Sequence, residues 1–166
     1  MRSVEQASRL FEKSHTHSRD PDRIGMPREE MMGEFHITLE WLPGRFAICR
    51  LDAQAVTPGW ALGRGGFVSI TRSERELSIV AAEALVPAEV KAERGWAAMR
   101  VAGRLDFALV GVLAKLTGAL AKAGISCFAI STYDTDYILV KHQEADRAAK
   151  ALGAVAQVTR RPEAAR

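Results

Sequence analysis

The chain has 166 residues, 48% of them hydrophobic, and a formal net charge of +3. That length suits one domain or two very small ones, and the composition suffices for a packed core. No apolar run reaches the roughly 20 residues of a membrane span, and the charged start does not resemble a signal peptide. The basic excess sits mostly at one end. Residues 1–33 balance six basic against six acidic side chains, whereas Arg160, Arg161 and Arg166 face only Glu163. The body therefore lacks the clustered Lys/Arg face that nucleic acid requires. Cys49 and Cys127 are far apart and each lies in an apolar stretch. They read as buried thiols in a reducing cytoplasm, not as a disulfide or zinc framework.

Residues 1–33 read as a flexible extension: "SHTHSRDPDRIGMPREEMM" is polar, carries two prolines and lacks a sustained apolar period. A short helix fits residues 3–13, with Leu10 and Phe11 as its apolar patch. From Phe35 the pattern becomes that of strands. "RFAICRL" alternates Phe46, Ile48 and Arg50 with Ala47, Cys49 and Leu51, so that one side is wholly apolar. "TPGWALGRGG" then punctuates the chain with Pro58 and four glycines, and is read as a tight turn into strand 67–71. A phosphate loop there would need a following Lys-Ser/Thr and a long helix, and neither follows. "FVSIT" and "LSIVAA", joined by the charged "RSERE", form a hairpin pattern.

The second half is more regular. "GWAAMRVAG" reads as a strand ending at Gly103, and Asp106 stands where it can cap a helix. Leu109, Val112, Leu113, Leu116 and Leu120 trace one face of a 3.6-residue period. Gly124 supplies the stop, because a residue with positive φ is least strained as glycine. "ISCFAIST" and "DYILVKH" follow as strands. "EADRAAKALG" is a short helix with Ala145, Ala148, Ala149 and Leu152 inward, and "AVAQV" is a last strand. The order β-α-β-β-α-β predicts a four-stranded antiparallel sheet with both helices on one face.

The tip of the central hairpin is "TYDTD", residues 132–136. Asp and Thr at a tip satisfy local backbone groups, so its polarity needs no chemistry to explain it. A carboxylate pair for acid–base work would want one member desolvated and a nucleophile or His beside it. Residues 34–158 contain no Ser/His/Asp order, no His-x-x-x-His and no Cys cluster. The residues point to no catalytic group, no metal and no cofactor.

Gly111–Val140, "GVLAKLTGALAKAGISCFAISTYDTDYILV", resembles the ACT domains of the CASTOR type, related to the regulatory domains of aspartate kinases. The resemblance is carried by the "GVLA" helix start, the "LAKAGIS" helix end and "ISTYDTDYILV" across the hairpin. It extends over residues 96–158. It continues over 42–83, where "LPGRFAICRL" and "ELSIVAAE" resemble the shortened first repeat of small bacterial proteins of this type. The resemblance implies an α+β fold of tandem ferredoxin-like ACT repeats with antiparallel sheets and helices on one face. Its parts would be an N-terminal extension (1–33), a shortened repeat (34–95), a complete repeat (96–158) and a basic tail (159–166).

It also implies a non-catalytic sensor that holds an amino acid or similar small ligand between repeats, and that pairs as a homodimer. The physics of a helix start suits that role, since its unpaired N–H groups lie in a positive field and hold a carboxylate. Val110, Gly111, Val112 and Leu113 occupy that start. Asp136 matches the acidic residue that meets the ligand's cationic end in the family's arginine sensor, and Thr132 and Tyr133 neighbour it. One departure stands out: Leu109 replaces an acidic residue of that sensor. Two other readings compete: a ligand-free interaction module, and a small hydrolase using Asp134 and Asp136. Trp41, Trp60, Trp96 and Cys127 read as core residues.

Overall fold

The computed structural model describes residues 36–63 and 66–159. The expected extension 1–33, its helix at 3–13, and the tail beyond Thr159 lie outside the described residues. The elements, in chain order, are β1 (Thr38–Trp41), β2 (Phe46–Leu51), β3 (Ser69–Arg72), β4 (Leu77–Ala82), β5 (Ala92–Val101), α1 (Val112–Lys122), β6 (Cys127–Ser131), β7 (Asp136–Lys141), α2 (Ala145–Leu152) and β8 (Gln157–Val158). All eight strands belong to one sheet.

β5 is the strand that joins the two halves. β7 pairs along one edge of it, from Trp96↔Lys141 to Arg100↔Tyr137. Along the other edge β2 takes the first part (Cys49↔Ala92, Phe46↔Trp96) and β1 the last (Trp41↔Met99, Leu39↔Val101). The first half therefore runs β3-β4-β2-β5, and the second β6-β7-β5-β1-β8. The sequence pattern predicts four strands in the second sheet. The structure has five, because β1 enters between β5 and β8, antiparallel to one and parallel to the other. The period of a strand shows which face is apolar but not which edge it will meet.

Helix α1 buries Val112, Leu116 and Leu120, the i, i+4, i+8 stripe expected of its period. They pack with Ile138 and Val140 of β7, Met99 and Val101 of β5, Leu39 of β1, and Ala148 and Leu152 of α2. Leu116 and Leu120 are fully buried, each worth about 1.5–3 kcal/mol relative to exposure. α1 stops as expected. Gly124 has φ +67°, its N–H donates to the Ala121 carbonyl, and the Ile125 N–H donates to that of Leu120, closing a Schellman motif.

The first half covers its sheet differently. Ala47, Cys49, Leu77, Ile79 and Ala81 pack under the connecting segments, against Ala61 and Val86, with Trp60, Val68 and Val90 at the margin. The opposite side of β2 is buried as well. Phe46 and Ile48 meet Val80, Trp96, Leu139, Phe128, Ile130 and Tyr137, and Phe67 stacks on Tyr137 with ring centroids 4.0 Å apart. Among the tryptophans, Trp41 and Trp96 are buried and Trp60 is half-buried. Cys49 is buried and Cys127 half-buried, both free. Burial pushes both thiols above their ordinary value of 9.0, with the Arg94 charge opposing this slightly at Cys49.

Candidate functional site

The site lies where α1 begins. Asp106 does not cap the helix. Its Oδ1 accepts from the Ala108 N–H at 2.8 Å, and its carbonyl accepts from Leu109, so it closes a separate turn ahead of α1. The N-cap is Gly111, with φ +91° and ψ 0° and no side chain to satisfy the helix start. Its carbonyl takes the N–H of Lys115. The N–H groups of Val112, Leu113 and Ala114 have no partner among the described residues. These are the orphan donors of a helix start, and they carry its positive field. A Cβ added at Gly111 would meet nothing within 4 Å. The glycine therefore serves the left-handed conformation, not a close helix–sheet approach.

The β6–β7 hairpin places its tip beside these donors. The tip closes on itself: the Thr132 N–H and Oγ1 both donate to the Thr135 carbonyl, at 2.9 and 2.7 Å. Thr135 Oγ1 reaches across to the Val101 carbonyl at 2.7 Å, fixing the tip to the end of β5. Asp136 opens β7 opposite Ser131. Strand alternation puts it on the side of Ile138 and Val140, which is the side the helices cover. It is half-buried, and its carboxylate has no hydrogen-bond or ionic partner among the described residues. Asp134 is exposed, and its Oδ1 lies 2.7 Å from Arg104 Nε.

Between the helix start and the hairpin lies a cavity of about 310 Å3. Six of the seven residues singled out from sequence line it: Gly111, Val112, Leu113, Thr132, Tyr133 and Asp136. Val110 does not, and its side chain is 80% exposed. Leu105, Asp106, Phe107, Leu109, Ala114, Ser131, Asp134 and Thr135 complete the lining. Leu109 forms part of its apolar wall. The segment 103–111 supplies much of that wall, and sequence reasoning missed it, taking Asp106 and Leu109 as parts of the helix. The Gly103 and Gly111 pair that flanks the segment is the signal that could have marked it. No lining residue is basic, so the charged side chains facing the cavity are the carboxylates of Asp106, Asp134 and Asp136, and the positive field comes from the helix start. Among the described residues no His, Cys, Asp and Glu group is placed to hold a metal.

A family model for the ACT domain matches residues 91–154, and a model for an N-terminal domain matches residues 44–89. A protein from Agrobacterium tumefaciens of known crystal structure is 32% identical, with a TM-score of 0.73 over 79% of this chain and 98% of that one. A Vibrio cholerae protein described as of unknown function and possibly in transport is 23% identical, with a TM-score of 0.60 over 73% and 91% of the two chains. The ligand-free regulatory subunit of aspartate kinase from Thermus thermophilus is similar in fold at 12% identity, with a TM-score of 0.50 over 70% and 96%. No curated protein matches the sequence. The chain belongs to the ACT-domain family.

Proposed function

We propose that this chain is a non-catalytic regulatory protein that binds a free amino acid, or a close analogue, in the cavity at the start of α1. The observation that carries the reading is the pairing of two unsatisfied groups of opposite polarity across one cavity. The open N–H groups of Val112, Leu113 and Ala114 suit a carboxylate. The unpaired Asp136 suits an ammonium or a longer cationic end. A zwitterion satisfies both at once, and the apolar wall of Leu105, Leu109 and Leu113 accepts carbon between them. Gly111 leaves the backbone accessible, and Thr132 and Tyr133 form the rim. A hydrolase using Asp134 and Asp136 has less support, because Asp134 is exposed and ion-paired with Arg104, and no His or Cys lines the cavity to activate the hydroxyls of Ser131, Thr132 or Thr135.

The test is a thermal-shift screen with the twenty amino acids. A ligand at 100 times its Kd stabilises the fold by about 2.7 kcal/mol, a displacement of several degrees for a domain of this size. No shift with any of them would refute the proposal. A second reading, association of two chains, draws on Phe107, Val110 and Tyr133. These residues are 76, 80 and 73% exposed, Phe107 and Tyr133 being in ring contact, and exposed apolar surface of this kind favours a partner. Light scattering across a concentration series should show a dimer, and a strictly monomeric mass would exclude it. No helix among the described residues is long and apolar enough to cross a membrane. A reducing cytoplasmic setting suits the two free thiols.

A further inference from the structure

The wall of the cavity formed by residues 103–111 is attached in an unusual way. Both of its ends are glycines in the left-handed region, Gly103 at φ +80° and Gly111 at φ +91°. A Cβ at either would meet nothing within 4 Å, so neither glycine is there to admit a neighbouring group. Between them only Leu105 and Leu109 are half-buried, and the rest is exposed. The segment has its own internal structure, the Asp106 turn that binds the N–H groups of Ala108 and Leu109. Leu105 and Leu109 rest on the edge of the core beneath α1, and beyond them the segment is tied down by a short set of contacts to one place, the hairpin tip. Arg104 Nε lies 2.7 Å from Asp134 Oδ1, the Leu105 N–H donates to the Asp134 carbonyl at 2.8 Å, and the Phe107 and Tyr133 rings meet edge to face at 5.1 Å. The ion pair and the rings are exposed, so each is individually weak.

We propose that residues 103–111 form a glycine-hinged strap, latched to the hairpin tip by Arg104–Asp134 and Phe107–Tyr133, that opens as a unit to admit ligand to the cavity. Left-handed glycines at both ends let the backbone turn without straining a side chain. The internal turn keeps the strap's shape as it moves, and the latch uses contacts that water can replace at little cost. The identity of the strap's cargo rests on the amino-acid reading above, but its opening does not.

Amide hydrogen exchange on the full chain without ligand tests the strap directly. Arg104→Gln removes the ion pair and should speed exchange of the Leu105 amide about twofold to fivefold. Phe107→Ala removes the ring contact and should speed it about twofold to tenfold, and the double variant should exceed either. The amides of Ala108 and Leu109 should keep their wild-type rates, because their bonds lie inside the strap, and so should those of β5 and β7. Unchanged Leu105 exchange in the double variant would overturn the latch. A rise shared by Leu109 would mean unravelling in place of hinged opening, and a rise shared by β5 and β7 would mean general loosening; either overturns the proposal. An amino-acid screen without a hit would remove the ligand reading and leave this exchange result standing.

Discussion

The β3–β4 and β6–β7 hairpins have the same turn length and different surroundings. At the β3–β4 tip, Ser73 bonds the Glu76 carbonyl through its N–H at 2.9 Å, and its hydroxyl accepts from the Arg75 and Glu76 N–H groups at 3.2 Å. At the β6–β7 tip, the Thr132 N–H likewise donates to the Thr135 carbonyl, and its hydroxyl accepts from the Thr135 N–H at 3.3 Å. Each tip also holds an arginine from elsewhere in its half: Arg50 to Glu76 at 2.9 Å, and Arg104 to Asp134 at 2.7 Å. Hydroxyls and carboxylates at these tips are thus turn chemistry. What separates them is the layer above. The second half has α1, whose start opens toward Asp136. Among the described residues, the connections flanking β3 and β4 carry only the short 3-10 turns Gly59–Ala61 and Glu83–Leu85. A candidate site arises where a helix start meets a hairpin tip, and only the second half supplies both.

Leu116 and Ile79 are both fully buried, one under α1 and the other in the first half. Replacing either with Ala should cost about 2–5 kcal/mol in urea unfolding. Only Leu116→Ala should also weaken ligand binding, because it alone disturbs the seat of α1. Loss of binding from both would mean that the first half shapes the cavity as well.

The next contrast is between the two carboxylates. With a cationic ligand, Asp136→Asn should weaken binding by about 1.5–3 kcal/mol, the worth of a charge-assisted hydrogen bond. Asp134→Asn loses an exposed ion pair to Arg104 and should change affinity by less than about 1 kcal/mol. Calorimetry on both variants decides, and equal small effects would reduce "YDTD" to a turn.

Two glycines of one segment give a smaller effect, with opposite signs. Gly111→Ala forces a side chain into φ +91° and should destabilise by about 1–2 kcal/mol. Gly118 lies inside α1 with ordinary φ and nothing within 4 Å of an added Cβ. Gly118→Ala should stabilise by about 0.5–1 kcal/mol. Thermal unfolding of the pair checks both signs. The smallest difference should be between the tips: Ser73→Ala and Thr132→Ala should each cost about 0.5–1.5 kcal/mol, because the several hydrogen bonds each hydroxyl makes are exposed and water replaces them. A much larger loss at Thr132 would mean that its tip carries load the first tip does not.

Much of this arrangement could be read in the sequence, because local period and local chemistry dictate it. The Val112–Leu116–Leu120 stripe, the Gly124 stop and the placement of Asp136 at the head of a strand follow from spacing and from glycine's conformational freedom. Three features could not be read that way. β1 lies beside β5 and β8, a partnership set by sheet edges that leave no mark on a four-residue strand. Asp106 has the residue type of a helix cap but closes its own turn, since Gly111 resets the backbone after it. The Arg104–Asp134 contact links residues that no periodicity relates. Val110 resembles Asp106 in this: the apolar pattern runs on through a segment that Gly111 holds outside the helix.

On the reading proposed above, the start of α1 and the tip of the second hairpin hold one amino acid between them. Heteronuclear NMR with each of the twenty amino acids, observing backbone amides residue by residue, tests it most directly. Saturable shifts are expected at Val112, Leu113 and Ala114 together with Thr132–Asp136, with a quiet tip at Ser73–Glu76. Saturable shifts confined to the first half, or none with any amino acid at millimolar concentration, would contradict it.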